Sequence, residues 1–442
     1  MNVVERSGVA RGAGPRVHLA ALDGLRGVAI LGVLLFHTGH LSGGFLGVDL
    51  FFALSGYLIT DLLLREIAAT GAVSLVAFWG RRIRRLLPAL VIMLVVVTLL
   101  VRLVGPPDLV RTTLSDGPWV QVNLINWHLL AESAGYWDRF GADRVFGHLW
   151  SIAVEEQFYL VWPVLVLVVA RWGRRVAGRV ALVAILVSAV SLILMVTLAD
   201  PADPTRVYTG TDTRAFSLLL GAAIATRPLR DALARTFATR PLRDALARTF
   251  ATRPLRDALA RTVGERAGGG PASVAVGGRA GGAAGLVVVG MGVAWALVDG
   301  VDSAWLFTGG LFLHSLAGAL LVGLCVQAPH TVVARALAWQ PLRRLGLISY
   351  SVYLWHWPIL VLLSPERTGL DGWARSLAVY AASIGLATLS KWLVEDPIRF
   401  RARWARGRGG LVAFVAVMAG LAVLWLAVPG PASVTIDVTR LG

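Results

Sequence analysis

Arg26 and His37 are the first residues whose types and spacing suggest chemistry. They lie eleven positions apart within Leu22 to Thr60, which reads as two apolar helices joined by a Gly-rich turn. An α-helix advances about 1.5 Å and about 100° per residue, so eleven steps move roughly 16 Å and return to within about 20° of the same face. A guanidinium and an imidazole therefore share one stripe of a segment otherwise apolar enough to cross a bilayer. Charge inside such a segment is costly and points to function by default. Neutral imidazole can take a proton from a hydroxyl near neutral pH. A guanidinium keeps its charge and offers five donors to a phosphate or carbonyl oxygen. The bland alternative for Arg26 is an ion pair with Asp23, three residues earlier.

Other residues extend the candidate set. Glu155 and Glu156 open a later apolar helix, where a carboxylate can orient an imidazole or an acceptor hydroxyl. Of the two, Glu156 is expected to face a loop or be paired. Arg82 and Arg85 flank an apolar span, where contact with lipid headgroups is the competing account. Asp49 is a secondary candidate for the wall of the same cavity. It follows Gly43, Gly44 and Gly47, which suit a tight turn or a close backbone approach. Tyr353 and His356, in a late apolar span, can face the interior. His37 and His40 lack a nearby third ligand and argue poorly for zinc, so no metal is expected. The single cysteine, Cys325, permits neither a disulfide within the chain nor a Cys-based metal site.

These residues need elements to position them, and composition sets the kind. The chain has 442 residues, 56% hydrophobic and only 15% charged, with a mean hydropathy of +0.70. That excludes an ordinary soluble domain and predicts an all-α, polytopic integral membrane bundle. Eleven apolar spans are expected, near 19–38, 45–64, 86–104, 149–170, 176–198, 208–226, 280–298, 305–328, 346–363, 373–394 and 410–428. The sixth is short enough to be re-entrant or buried.

The net charge of +16 can suggest nucleic acid, but the cations are 41 arginines and Lys391, set between the apolar spans. The positive-inside rule explains them better. With the N-terminus inside, 32 basic residues fall on the inner side, nine outside, and Arg26 within the membrane. The expectation is a multi-pass protein of a bacterial cytoplasmic membrane, with residues 1–18 cytoplasmic and the C-terminus outside. The first span lacks a cleavage signal and reads as retained.

Two loops stand out. ATRPLRDALARTF occupies 225–237 and 238–250, and ATRPLRDALARTV follows at 251–263. Each unit pairs leucines four apart with arginines opposite, a pattern that suits a short basic helix on an anionic inner leaflet. Repeat expansion in a tolerant loop is the simpler account. Residues 264–280 read as a Gly-rich linker. The outer loop from Gly105 to Gly147 carries Trp119, Trp127, Tyr136 and Trp137, expected over the outer mouth of the bundle or in an interfacial belt.

At Arg26 and His37, with ten residues between, the sequence resembles the membrane-bound acyltransferase family 3. GGFLGVDLFFALSGYLIT (43–60), FWGRRIRRLLPAL (78–90), HLWSIAVEEQFYLVWP (148–163) and ISYSVYLWHWPI (348–359) resemble further parts of that family. The resemblance implies a membrane acyltransferase domain over 19–400. It implies transfer of an acyl group, acetyl by default, from cytosolic acyl-CoA to a sugar hydroxyl of an envelope glycan or a glycosylated small molecule. His37 would be the general base, Arg26 would clamp the CoA arm, Glu155 is the matching carboxylate, and Arg82 and Arg85 would hold the CoA phosphates. Some members add a last helix and an outer hydrolase-like domain. Residues 401–442 match that helix with a short tail, leaving open action alone or with a separate outer-side partner.

Two other classes compete. Intramembrane Arg, His and Glu also serve proton-coupled transporters, but the two halves show no convincing internal similarity. A scaffold that recruits a partner through the basic repeats explains the loop but not Arg26 or His37.

Overall fold

The computed structural model describes residues 20–137, 144–173, 175–237, 271–300, 302–402 and 404–431. The expected segment 1–18, repeat units two and three, linker residues 264–270 and the tail beyond 431 lie outside the described residues, while residues 271–280, expected as flexible linker, begin a helix instead. What is described is helical. The first six helices are α1 (Ala20–His37), α2 (Gly47–Thr70), α3 (Leu75–Val104), α4 (Pro107–Gln121), α5 (Ile125–Ala131) and α6 (Trp150–Arg171). Then come α7 (Val176–Leu198), α8 (Thr211–Ile224), α9 (Arg227–Phe237) and α10 (Pro271–Leu297). The chain closes with α11 (Gly310–Gln327), α12 (Gln340–Leu362), α13 (Gly372–Ser390) and α14 (Gly407–Ala427).

Among the described residues, ten helices are long and apolar enough to cross a membrane, one fewer than expected. The difference is α8. Its 14 residues reach only about 21 Å at 1.5 Å each, against a hydrocarbon core of about 30 Å. It is buried among α2, α7 and α11, so it never faces lipid and need not be apolar throughout. It can therefore carry Arg214, which the sequence count placed among the outer arginines but which is fully buried.

Glycines set the closest helix contacts. A Cβ on Gly27 would lie 2.2 Å from the Leu342 carbonyl oxygen, and one on Gly346 would lie 1.7 Å from that of Asp23. Helix α1 and the start of α12 therefore touch backbone to backbone, the geometry that small residues permit in membranes. Gly56 and Gly221 do the same for α2 and α8, at 1.7 Å from the Leu218 oxygen and 2.0 Å from the Ala53 oxygen.

The turn Ser42–Leu46 is a single 3-10 stretch. Gly44 sits over the Gly32 carbonyl and Gly43 over that of Trp295, as the expected close approach requires. Tyr136 and Trp137 fold inward against Trp150 and Tyr208, while Trp119 and Trp127 stay at the surface. The first repeat unit forms α9, with Leu229 and Leu233 packed on the bundle and Arg230 3.4 Å from Asp61. Its apolar face meets protein rather than lipid.

Candidate active site

Two neighbouring chambers lie within the bundle, and the helical period explains their linings. On α2, Val48, Phe51, Ser55 and Leu58 fall on one stripe. On α6 the stripe is Ser151, Ile152, Glu155, Glu156 and Tyr159. Helix α12 adds Ser349, Tyr350 and Tyr353, α1 adds Arg26, and α3 adds Arg82, Arg85 and Leu86. The first chamber, about 40 Å³, has the apolar wall. The second, about 60 Å³, holds the arginines of α3. Arg26, Ile152, Glu155 and Tyr350 border both and mark the junction.

The structure thus gathers Arg26, Glu155, Arg82 and Arg85. Arg26 Nε donates to Ser349 Oγ at 3.4 Å. The Glu155 carboxylate accepts from the Ser55 hydroxyl and, at 2.6 Å, from the Tyr159 hydroxyl. The Arg82 guanidinium lies 4.4 Å from the centre of the Tyr159 ring. Glu156, expected to face a loop or be paired, instead lines the arginine chamber. Four positions separate Glu155 from Tyr159, so helical spacing alone would have found that partner.

His37 stands apart, half-buried at the last residue of α1, and borders neither chamber. Its Nδ1 lies 3.0 Å from Nε2 of His356. His356 Nδ1 lies 2.7 Å from the carbonyl oxygen of Tyr353, a chamber residue. A carbonyl can only accept, so His356 carries its proton on Nδ1 and presents a lone pair at Nε2. His37 then donates from Nδ1, which leaves the basic lone pair on its own Nε2. His356, rather than Glu155, holds the position behind the imidazole. Trp357 meets the His37 ring edge-on at 4.8 Å, and its Nε1 donates to the Arg144 carbonyl at 2.9 Å. The His148 ring meets that of His356 edge-on, at 5.4 Å.

Asp49 is not at the chamber wall, although its neighbours Val48, Phe51 and Phe52 are. Its side chain turns the other way into a fully buried ion pair with Arg214, at 2.9 Å. Ser217 and Ser315 also donate to Asp49, at 2.9 Å and 2.8 Å. Two helices thus share one buried charge pair, which fits a structural role better than a chemical one.

Outside the spans, Asp116, His128 and Glu132 bring their ligand atoms within 4.8 Å of one another. Arg144 already supplies a cation there, donating to Asp116 at 2.5 Å and to Glu132. Burial pushes the Asp116 carboxyl up to about 7, against the pull of Arg144. The hydrogen bond from Arg144 holds Glu132 below its usual range.

Apolar spans enclosing arginines, carboxylates and a histidine define the class as a multi-pass membrane protein with a polar site inside its bundle. The family model of an acyltransferase domain matches residues 19–396, and the chain belongs to that family, not to the proton-coupled carriers. The peptidoglycan O-acetyltransferase OatA of Listeria monocytogenes is 33% identical over 389 residues, 87% of this chain and 56% of that protein. The O-acetyltransferase OatA of Staphylococcus aureus is 33% identical over 390 residues, 86% of this chain and 57% of its own. YrhL of Bacillus subtilis is 34% identical over 388 residues, 86% of this chain and 55% of its own. The chain therefore spans about half the length of the curated relatives it matches. No solved structure matches it.

Proposed function

We propose that the protein moves an acyl group, in the first instance acetyl, from cytosolic acyl-CoA to a sugar hydroxyl of the envelope glycan, with peptidoglycan as the acceptor. The observation that carries this reading is the pair of neighbouring chambers. Positive charge at one end suits the CoA phosphates, and the other end reaches Tyr353 and so the His356–His37 pair. The arginine asymmetry orients the Arg82 end toward the cytosol. Arg82 and Arg85 hold phosphate, and Arg26 at the junction clamps a carbonyl of the extended CoA arm, which runs on along α1 to present its thioester at His37, roughly 16 Å farther. His37 Nε2 takes the proton from the sugar hydroxyl as its oxygen attacks the thioester carbonyl. The C–S bond then breaks, the ester forms, and the CoA sulfur leaves as thiolate and is protonated.

The relatives' names favour a peptidoglycan sugar over the other glycans that the sequence left open. A separate outer-side partner that receives the group belongs to the same proposal. The test is transfer of radiolabelled acetyl from acetyl-CoA to peptidoglycan fragments by the full chain in nanodiscs. Label should appear in alkali-labile ester with wild type and fall to background with His37→Ala. Equal labelling by the two proteins would overturn the role of His37. No labelling of any glycan, with or without membrane extract supplying a partner, would overturn the reading as a whole.

A further inference from the structure

We infer that the exposed indole of Trp373, laid flat on the His40 imidazole, is a platform for a sugar ring of the acceptor glycan, seating one unit of the strand while His37 works on another. This rests on the reading of the protein as a glycan O-acyltransferase and adds to it which side chains hold the acceptor.

The helix ends set its place. His37 closes α1, Gly39 turns the chain at φ +79°, and His40 follows three positions after the base. Helix α13 runs beside this end of α1. Its Tyr380 hydroxyl lies 2.5 Å from Thr38 Oγ1, and its Ser376 Oγ lies 2.9 Å from His40 Nε2. Trp373 comes seven residues before Tyr380, so it stands roughly 10 Å farther out along the helix than the level of the base. That is the end of the bundle away from the α3 arginines, and the offset is about the length of a disaccharide.

The platform is rigid and open on one side. The His40 and Trp373 rings are nearly parallel, 6° apart in plane with centres 3.6 Å apart. One indole face is therefore covered, and the 58% exposure of Trp373 falls on its other face and edges. The Ser376 hydroxyl donates to the Gly372 carbonyl at 3.0 Å, so its oxygen accepts from His40 Nε2–H. The neutral imidazole then keeps its lone pair on Nδ1. Neither that lone pair nor the Trp373 Nε1–H has a partner among the described residues.

This is a flat apolar face with one free acceptor and one free donor at its rim. A pyranose offers the complement, a face of C–H groups edged by hydroxyls that both donate and accept. A ring already fixed by stacking loses little freedom when a sugar settles on it. A tryptophan that only marks the membrane interface is the competing account. An acyl chain would cover the face but leave both polar atoms unmet.

The experiment gives the full chain in nanodiscs acetyl-CoA and two soluble acceptors cut from the glycan strand, a monosaccharide and a tetrasaccharide. It is scored as the ratio of their kcat/KM values within each variant, which does not depend on the fraction folded. Only the longer acceptor reaches from His37 to Trp373, and wild type should prefer it at least about tenfold, the worth of the apolar area of one ring face. Trp373→Ala should abolish that preference, whereas Trp373→Phe keeps a flat face and should retain most of it. His40→Phe keeps the stack but loses Nδ1, and should cost about 2–10-fold. Should the monosaccharide react too slowly to time, the tetrasaccharide KM reads the same effect, rising at least about tenfold in Trp373→Ala. A ratio within about twofold of wild type in Trp373→Ala, with both acceptors slowed alike or neither, would overturn the platform and assign the ring to lipid. Transfer to neither acceptor by wild type, with or without membrane extract, would overturn the acyl-transfer reading instead.

Discussion

Replacing His356 by Phe tests the link between the chambers and the base. The substitution keeps a flat ring of similar volume, so the bundle should fold. It removes the acceptor that His37 Nδ1 meets at 3.0 Å and the donor that Tyr353 meets at 2.7 Å. Leaving a buried donor without its acceptor costs about 1–3 kcal/mol. His37 escapes that cost by rotating or by moving its proton to Nε2, and either change removes the basic lone pair from the place where the hydroxyl arrives. At about 1.4 kcal/mol per factor of ten, the expected loss in kcat is about 5–150-fold, with KM for acyl-CoA little changed because His356 borders neither chamber. His356→Gln retains an amide oxygen as acceptor and should recover most of the rate. The double variant with His37→Ala should be no slower than His37→Ala alone, because the two act as one unit. Nitrogen chemical shifts of labelled His37 should show the Nδ1–H tautomer in wild type and a mixture in His356→Phe. A kcat within twofold of wild type for His356→Phe, with the His37 shifts unmoved, would refute the reasoning.

The remaining expectations are shorter. Arg82→Gln with Arg85→Gln should raise KM for acyl-CoA at least about tenfold, since each lost charge-assisted hydrogen bond is worth roughly 1.5–3 kcal/mol; unchanged KM would assign both arginines to lipid contact. Arg214→Met leaves the Asp49 carboxylate buried without its cation and should destabilise the bundle by about 3–5 kcal/mol, read as loss of the folded peak after mild heating in detergent. Asp49→Asn with Arg214→Met should recover part of that loss. Asp116 keeps its proton in the folded chain up to about pH 7 but sheds it in the unfolded chain above its ordinary value of 3.8. Its stabilising contribution is therefore present below that value and is lost as pH rises through about 7, a swing of at most about 4 kcal/mol. The melting temperature of wild type minus that of Asp116→Asn should accordingly fall between pH 4 and pH 8, and a gap that is flat or widens would contradict the burial of this carboxyl.

Much of this site was legible in the sequence because membrane helices leave few polar residues to choose from. Arg26, Glu155, Arg82 and Arg85 each break an apolar pattern, and all four meet at one cavity. Asp49 shows the limit of that logic. Its charge was as conspicuous as theirs, but the turn of α2 directs it to Arg214, and the direction of one side chain is set by tertiary packing. The sixth expected span, 208–226, was short enough to be read as re-entrant or buried, and α8 is buried, but that Arg214 goes inside with it depends on the partner that Asp49 supplies from a distant helix. The His37–His356 contact joins residues 319 positions apart, a pairing that no local pattern encodes. Leu229 and Leu233 signalled an amphipathic helix correctly, but not that protein rather than lipid would cover it.

The glycine seam between α1 and α12 has a bearing on how substrates enter. With carbonyl oxygens seated where Cβ atoms would otherwise be, these two rods are keyed together like a dovetail joint. Arg26 and Ser349, and farther along His37 and His356, are thereby held as fixed pairs on one stiff frame. Whatever breathing admits a bulky thioester must come from the opposite wall, where α3 carries its arginines beside a proline-interrupted, lipid-facing helix. The jaw that moves is the one that grips the donor, and the anvil on which the bond is exchanged stays still.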